Sequence, residues 1–235
     1  MNESAIYRSL ATGYDRGAAY FSETRSFFWR DLQFIKEYMG KNDKILDFGC
    51  GNGRLLDLIK DDFKEYVGVD ASKTMIGLAK KKYYELISKA PVEGQISFRA
   101  IHPYRFSLPK KYFHTVAAIG VFHHFPPGPI REKIASTLSA TLKQGGHIIV
   151  TVWDLHPAKF DQFFIKNGKS LREGVIPFKD QQGKNLFDRY HYRWDLKELE
   201  DFIAAAGFEI IKSGATTQQD NPANLFVVGR KPSVI

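Results

Sequence analysis

The hydrophobic and polar positions of the chain follow two different periods, and the alternation of these periods predicts its elements. Helical spacing predicts helices over residues 3–20 and 24–39, and in the second of these Phe28, Leu32 and Ile35 share one face. Apolar runs that end in glycine or polar residues predict five strands: "DKILDFG", "EYVGVDAS", "ISFRAI", "HTVAAIGVF" and "HIIVTVW". Further helices are predicted over 53–63, 73–89, 129–143 and 195–206.

Strands and helices thus alternate along most of the chain, and this order predicts an α/β fold. The expected architecture is a Rossmann-like, mostly parallel sheet of seven strands with helices on both faces. The last two strands, "EIIKSG" and "NLFVVGR", are joined by "ATTQQDNPA", which is too short for a crossover helix. At least one of them must therefore run antiparallel, as a hairpin at the edge of the sheet.

The length of 235 residues fits one domain, which we divide into four segments. Residues 1–40 are expected to form a helical lid, 41–156 the binding core, and 195–235 the helix and strands that complete this core. Residues 157–194 are longer than an ordinary connection and carry eight Lys and Arg residues against four acids. This segment is either a solvated excursion or a cap that lies over the carboxyl ends of the strands and touches the substrate.

The charge balance adds a candidate partner. The chain has 34 Lys and Arg against 26 Asp and Glu, a net charge of +8, and its isoelectric point is about 9.4. Basic side chains release counterions from phosphates on binding, so this balance favours a polyanion such as RNA. No apolar run is long enough for a membrane span, and the N-terminus lacks the apolar core of a signal peptide. Cys50 is the single cysteine and excludes an internal disulfide, so we expect a cytoplasmic protein.

The stretch "ILDFGCGNGR", residues 45–54, forms a glycine-rich loop after the first strand. Its pattern is G-x-G-x-G, whereas a dinucleotide loop requires G-x-G-x-x-G and a P-loop ends in Gly-Lys-Ser/Thr. The loop is therefore not expected to hold a pyrophosphate. Asp70 ends the second strand, where a carboxylate accepts hydrogen bonds from ribose hydroxyls, and Asp47 adds a second acid. A ligand with a ribose and a positive centre but no phosphate would suit these residues, and S-adenosylmethionine is such a ligand. The alternative is that the glycines only ease the packing of the turn.

Three motifs, "ILDFGCGNG", "YVGVDAS" and "LKQGGHIIVTVW", resemble those of class I S-adenosylmethionine-dependent methyltransferases. Three further stretches, "FSETRSFFW", "HHF" and "RYHYRWDLKEL", resemble the tRNA wobble-uridine carboxymethyl methyltransferases. The matching residues are Phe21, Ser22, Thr24, Arg25, Trp29, His123, His124, Phe125, Arg189, Tyr190, Glu198 and Leu199. That family has "YYH" where this chain has Tyr190, His191 and Tyr192, so the histidine is displaced by one position.

The resemblance implies methyl esterification of a carboxymethyl group on C5 of the wobble uridine in tRNA. A carboxylate is already a nucleophile at neutral pH, so no general base is required. Arg25 is expected to bind either the acceptor carboxylate or the methionine carboxylate of the cofactor, and the alternative is a purely surface side chain. His123 and His124 either hydrogen-bond the acceptor or only pack and cap a turn, and no metal site is expected. Candidate acceptor-binding residues are Trp29, Arg189 and Tyr190.

The residues expected to bind S-adenosylmethionine, or its product S-adenosylhomocysteine, come from the lid, the glycine loop and the strand ends. They are Tyr20, Arg25, Asp47, Gly49, Cys50, Gly51, Asn52, Gly53, Asp70, Ala71, Ile101, His102 and Ile119. Ile101 and His102 occupy the position where many relatives hold the adenine amino group with an Asp. Backbone groups are therefore expected to recognise the adenine.

The expected macromolecular partner is tRNA, and the resemblance also implies a small zinc-containing activator subunit, which the eukaryotic enzymes require. One alternative is a small-molecule O-methyltransferase that acts on a carboxylic acid or a quinone-like phenol, because residues 157–194 also suit a cap over a small pocket. A second alternative is a methyltransferase fold without activity that serves as a binding subunit. Asp47, Gly49, Gly51 and Asp70 argue against this second alternative.

Overall fold

The computed structural model describes residues 2–25, 27–60, 62–90, 92, 95–166, 168–219 and 221–233. Within these ranges the α-helices are α1 (Glu3–Thr24), α2 (Leu55–Ile59), α3 (Lys73–Lys82), α4 (Tyr84–Ser88), α5 (Pro129–Thr141), α6 (Asp161–Phe164) and α7 (Leu196–Ala205). Short 3-10 helices lie at Arg30–Tyr38, Phe122–His124 and Ala158–Phe160. No helix in the described part of the chain is long and apolar enough to cross a lipid bilayer.

Seven strands form one sheet, and four others form two separate hairpins. In chain order they are β1 (Lys44–Phe48), β2 (Glu65–Asp70), β3 (Ile96–Ala100), β4 (Phe113–Ile119), β5 (Leu142–Trp153), β6 (Ile165–Lys166), β7 (Lys169–Ser170), β8 (Glu173–Lys179), β9 (Asn185–Tyr192), β10 (Glu209–Gln218) and β11 (Asn221–Arg230). The sheet order is β10-β11-β5-β4-β1-β2-β3. β11 runs antiparallel to β5 and to the edge strand β10, and the other strand pairs of this sheet are parallel in the described residues, which confirms the predicted fold class.

The strand order reverses beside β1, which positions the site. β1 pairs in parallel with β2 on one side and with β4 on the other, so the connections that leave these strands diverge to opposite faces. In sheets of this kind a crevice opens between the diverging connections at the carboxyl ends of the strands. The glycine loop that follows Phe48 lies at this crevice.

The core has two layers because alternate residues of each strand face opposite sides of the sheet. Leu46 packs in the layer that includes α5 and α7, where Leu138 and Leu199 are fully buried. Its neighbour Ile45 packs in the other layer against α2 and the 3-10 helix Arg30–Tyr38. The sheet is therefore covered on both faces, as the alternating pattern predicts.

The prediction of one continuous helix over 24–39 is wrong. The described residues between α1 and the 3-10 helix Arg30–Tyr38 are extended or irregular, and Trp29 has ψ 130°. The ring of Trp29 lies under the guanidinium of Arg54, 3.6 Å from its central carbon, and the same guanidinium donates a hydrogen bond to the carbonyl of Phe27. These contacts hold the segment against the glycine loop and interrupt the helix.

Two other predicted helices are shorter than expected. The helix predicted over 53–63 covers only α2, because Lys60 adopts a positive φ of 46° that ends it. The helix predicted over 73–89 breaks at Tyr83, whose hydroxyl donates to Asp57 and whose ring stacks on Phe98. In both cases the helix ends before the apolar spacing does, at a positive φ in the first and at a residue held by tertiary contacts in the second.

The segment 157–194 contains a hairpin that packs on α1. β8 and β9 pair antiparallel, with Phe178 opposite Phe187. Phe187 is buried against Gly17 of α1, where a Cβ would lie 2.7 Å from its ring. The hairpin is therefore part of the packed structure, which disfavours a fully solvated excursion. We call β8, β9 and their turn the cap hairpin.

Candidate active site

A pocket opens at the carboxyl ends of β1, β2 and β4 and is covered by α1. Its lining includes, from the predicted site, Arg25, Trp29, Asp47, Gly49, Cys50, Gly51, Asn52, Asp70, Ala71, Ile101, Ile119, His123 and His124. Tyr14 and Phe21 of α1 and Trp153 at the end of β5 also line it. The pocket therefore lies where the strand order predicts a ligand.

The glycine loop is tightly bent and tied to the end of β2. Gly49 and Gly51 have φ values of 75° and 54°, which L-residues with a side chain rarely adopt. The backbone N–H groups of Gly49 and Cys50 both donate to the carbonyl of Val69, at 2.8 and 3.0 Å. A Cβ on Gly49 would also clash with the side chain of Val121. These positions consequently require glycine for the backbone to approach a ligand closely.

Two buried carboxyl groups flank the loop. Asp47 accepts a hydrogen bond of 2.6 Å from the Tyr66 hydroxyl, and burial raises the pKa of Asp47 to about 7. Asp70 accepts hydrogen bonds from the backbone N–H groups of Gly51 and Ser72, at 2.9 and 2.8 Å, and burial raises the pKa of Asp70 too. This end of the pocket therefore favours a ligand that carries hydroxyl donors or a positive charge.

Asn52 supplies a further acceptor and connects the loop to the lid. Its side-chain nitrogen donates to the hydroxyl of Ser22 and to the carbonyl of Arg25, at 3.0 and 3.2 Å. Its side-chain oxygen is buried and has no hydrogen-bond partner. An unpaired buried acceptor beside two acids fits the ammonium and ribose groups of S-adenosylmethionine.

The guanidinium of Arg25 lines the pocket on the side of the lid. It packs over the rings of Phe21 and Phe178, 4.5 and 5.1 Å from their centroids, and donates to the Thr24 hydroxyl. Among the described residues no acidic side chain pairs with it. Burial lowers the pKa of Arg25, and the positive charge of Arg189 lowers it further. The lining thus carries Asp47 and Asp70 on the side of the strand ends and Arg25 on the side of the lid, and we call these two sides the acidic end and the basic end.

Three buried histidines lie beside the basic end. The nitrogen Nδ1 of His124 is 2.9 Å from the carbonyl of Tyr190, so it carries the proton, and Nε2 accepts from the Tyr14 hydroxyl at 2.8 Å. His123 accepts the backbone N–H of Trp153 through Nδ1, at 3.2 Å. Burial lowers the pKa of His124 to about 3 and that of His123 well below its usual value. Both rings are therefore neutral at physiological pH and poorly suited to act as general bases.

The third histidine, His191, stacks parallel to His123 with ring centroids 5.1 Å apart. One nitrogen of each of His123, His124 and His191 lies within 4.8 Å of the others, a spacing that a metal ion could use. The donor set does not favour one, because acceptance at Nδ1 places the proton of neutral His123 on Nε2, and Nε2 of His124 is occupied by Tyr14. Arg189 adds a positive charge that lowers the pKa of all three rings. The expectation of no metal site stays a prediction.

Several predicted residues lie outside the pocket lining, for identifiable reasons. The ring of Tyr20 faces Phe178, and that of His102 packs edge-on against Tyr104, 4.5 Å away. Gly53 lies behind the loop, where a Cβ would be 2.8 Å from the ring of Tyr83. Arg189 is not part of the lining but packs beside it, against the rings of Trp153 and Phe178 and near Tyr14, and the Tyr190 hydroxyl donates to Glu173.

The sequence interpretation missed Trp153, which lines the pocket, and Phe178 and His191, which pack against lining residues. Trp153 ends a predicted strand, and a large ring at the carboxyl end of a strand is a signal that could have identified it. Phe178 and His191 reach the site only because the cap hairpin folds onto α1. The spacing of residues in the sequence does not predict the contact between the cap hairpin and α1.

Fold and pocket together define the class of protein. A parallel sheet with a reversed last strand, a glycine loop without dinucleotide spacing and an acid at the end of β2 identify an S-adenosylmethionine-dependent methyltransferase. The chain belongs to the methyltransferase domain family, whose sequence model matches residues 20–213. Its methyl donor is S-adenosylmethionine, and the product is S-adenosylhomocysteine.

The chain is similar to curated enzymes that modify tRNA. It is 31% identical over 140 residues to the tRNA (carboxymethyluridine(34)-5-O)-methyltransferase of Arabidopsis thaliana, covering 60% of this chain and 31% of that protein. It is 29% identical over 177 residues to the enzyme with the same description, alkbh8, of Xenopus tropicalis, covering 74% of this chain and 25% of that protein. The chain therefore spans less than a third of the length of either relative.

Solved methyltransferases share the fold at low sequence identity. One is the methyltransferase in the complex with the Haloferax volcanii Trm112 methyltransferase activator, with a TM-score of 0.69 and 16% identity. The superposition covers 97% of this chain and 99% of that one. At this identity the likeness shows the fold alone.

Proposed function

We propose that this methyltransferase forms a methyl ester on a carboxymethyl group at C5 of the wobble uridine in tRNA, in the cytoplasm. The curated relatives that carry this description, and the net charge of +8, support a tRNA substrate. A basic protein attracts RNA through its phosphates, and the cap hairpin adds exposed lysines near the pocket.

The observation that carries the proposal is the guanidinium of Arg25, which lines the pocket from the lid and has no acidic partner among the described residues. Asp47 and Asp70 suit the cofactor, whereas a cation without an acidic partner suits an anionic acceptor. A guanidinium can hold a carboxylate through two parallel hydrogen bonds. If Arg25 held the methionine carboxylate of the cofactor instead, Arg25→Lys would weaken cofactor binding rather than raise the KM for the acceptor.

The protonation states of the pocket fit a carboxylate acceptor. S-adenosylmethionine supplies a methyl group on a sulfonium that leaves as a neutral thioether, so no proton has to be removed from a carboxylate acceptor. The neutral rings of His123 and His124 are engaged in hydrogen bonds and are not needed as bases. What the protein must do is align the carboxylate oxygen with the methyl carbon, and we assign this role to Arg25.

A small activator subunit is part of the proposal. The methyltransferase in the solved complex with the Trm112 methyltransferase activator shares the fold of this chain over nearly the whole length of both chains. Co-expression of the chain with the activator homologue of its source tests this partner: we expect a one-to-one complex with higher methyl transfer to tRNA. The activator proposal would be contradicted if no complex formed and the chain alone were as active as the co-expressed pair.

A small-molecule carboxylic acid is the second candidate acceptor. The pocket is lined by several aromatic rings, among them Tyr14, Phe21 and Trp153, and α1 covers it, which also suits a compact organic acid.

Mass analysis with trideuteromethyl-labelled cofactor separates the two acceptors. The purified protein is incubated with tRNA that lacks wobble methyl esters and, in parallel, with a metabolite extract. We expect label in a uridine nucleoside of the tRNA, lost on mild alkaline treatment because esters hydrolyse whereas N- and C-methyl groups do not. Label only in the extract would overturn the tRNA proposal, and alkali-stable label in tRNA would overturn the ester. The negative control is Asp70→Asn, which removes the carboxylate that would accept hydrogen bonds from the ribose hydroxyls of the cofactor. We expect this variant to transfer no label.

A further inference from the structure

The cap hairpin contributes a second cation to the basic end of the pocket. Building on the proposed function, we propose that Arg189 and Arg25 form a two-arginine clamp that selects an ionised carboxylate acceptor over its neutral amide. Arg189 lies on β9 and Arg25 at the end of α1, so the clamp forms only when the cap hairpin packs on the lid.

The environment of Arg189 indicates a missing anion. Only 4% of its surface is exposed, and its nitrogens Nε and Nη1 are buried without a hydrogen-bond partner. No ion pair with an acid compensates this charge in the part of the chain that the structure describes. A buried, unpaired guanidinium is costly, because its lost hydration is not replaced. A bound carboxylate would supply the missing partner.

The two guanidinium groups share one aromatic ring. The central carbon of Arg189 is 4.9 Å from the centroid of Phe178, and that of Arg25 is 5.1 Å from the same centroid. Arg189 also lies 5.2 Å from the ring of Trp153, which lines the pocket. The aromatic rings hold two like charges close together, an arrangement that a bridging anion stabilises.

Tyr14 and His124 set the position of this charge. Because Nδ1 of His124 donates to the Tyr190 carbonyl, its Nε2 accepts from the Tyr14 hydroxyl, and the oxygen of that hydroxyl is oriented to accept from the guanidinium of Arg189. Burial raises the pKa of Tyr14, and the positive charge of Arg189 opposes this shift, so the guanidinium faces the tyrosine. Tyr14 and His124 are therefore positioning residues, which act on the acceptor through Arg189.

The clamp predicts a binding preference between two nearly identical RNAs. The probes are anticodon stem-loops that differ only at the wobble base, one with a carboxymethyl and one with a carbamoylmethyl group, titrated against protein saturated with S-adenosylhomocysteine. The two groups have the same shape, but only the carboxylate pairs with both arginines. We expect wild type to bind the acid about 10- to 100-fold more tightly, the range that charged hydrogen bonds provide.

Variants separate the clamp from general charge effects. Arg189→Gln is expected to reduce the preference for the carboxymethyl RNA to less than about threefold. Arg189→Lys is expected to retain part of this preference, since lysine keeps the positive charge but cannot form two parallel hydrogen bonds with a carboxylate. The matched control is Lys179→Gln, which replaces an exposed lysine of the same hairpin. We expect it to lower the affinity for both RNAs by the same factor. Arg25→Gln gives a second test of the clamp if Arg189→Gln does not fold.

Equal affinity of wild type for the two RNAs, or an acid preference that survives Arg189→Gln, would overturn the clamp. The proposed function fails by a different result, the absence of an alkali-labile methyl group in tRNA. A labelled ester in tRNA together with equal affinities would thus reject the clamp and leave the proposed function standing.

Discussion

Asp47 shows at the scale of one residue how burial prepares the pocket for a positive ligand. Its spacing before the glycine loop was enough to predict it from the sequence, as it was for Gly49, Gly51 and Asp70. The sequence could not predict its ionisation, since this depends on the Tyr66 hydroxyl and on complete burial among packed strands. The same limit applies to His191, whose stacking on His123 exists only in the folded chain.

The raised pKa of Asp47 predicts a pH-dependent stability. Its carboxyl has a pKa of about 7 when folded and about 4 when unfolded, so the folded state binds the proton more tightly. Asp47 therefore contributes stability below about pH 4 that is lost as pH rises through about 7. Without ligand, we expect the free energy of unfolding of wild type, relative to Asp47→Asn, to fall across this window. Denaturant titrations at several pH values check this, and a constant difference would contradict it.

At the scale of elements, the strands of the core and the first helix of the lid, α1, were predictable from periodicity, whereas the second lid helix and the cap hairpin were not. The predicted helix 24–39 is interrupted because Arg54, distant in sequence, stacks on Trp29. The cap hairpin lacks a clear turn signal, and its pairing depends on packing against α1. Sequence periodicity reports burial along one element, but not contacts between two elements.

The contact between α1 and the cap hairpin predicts the effect of adding one methyl group. Ala at Gly17 would place its Cβ 2.7 Å from the Phe187 ring, so the hairpin must shift. We expect Gly17→Ala to lower stability by about 1–3 kcal/mol and to weaken acceptor binding more than cofactor binding. The matched control is Gly77→Ala in α3, where no atom lies within 4 Å of the added carbon, and there alanine should stabilise the helix slightly. Calorimetry and thermal melts measure both, and equal effects of the two substitutions would contradict the packing role.

At the scale of the whole molecule, the distribution of charge predicts how tRNA binds. The exposed lysines of residues 157–194 lie on the side of the pocket, whereas Lys64 precedes β2 at the opposite end of the sheet. We expect Lys179→Glu with Lys184→Glu to weaken tRNA binding about tenfold or more and to flatten its salt dependence, because two phosphate contacts are lost.

Cofactor affinity should not change in the double variant, and Lys64→Glu should weaken tRNA binding by less than about twofold. Filter-binding titrations over a range of salt concentrations, with calorimetry for the cofactor, give both comparisons. If Lys64→Glu weakened tRNA binding as much as the double variant, the binding face would not be the one that carries the cap.

The sheet itself was the most predictable part of the molecule. Alternating strands and helices implied parallel order, and the short link before β11 implied its reversal, as the structure confirms. The acceptor end of the pocket was less predictable, because Arg25, Arg189 and Trp153 come from three distant segments that meet only after the cap packs on the lid.

The central claim is that one pocket holds a sulfonium nucleoside at its acidic end and a carboxylate at its basic end. It is tested most directly by a crystal structure with S-adenosylhomocysteine and an anticodon stem-loop that bears carboxymethyluridine. We predict the ribose hydroxyls on Asp70 and the carboxylate between Arg25 and Arg189. A carboxylate that points to solvent, or one that contacts neither arginine, would contradict the claim.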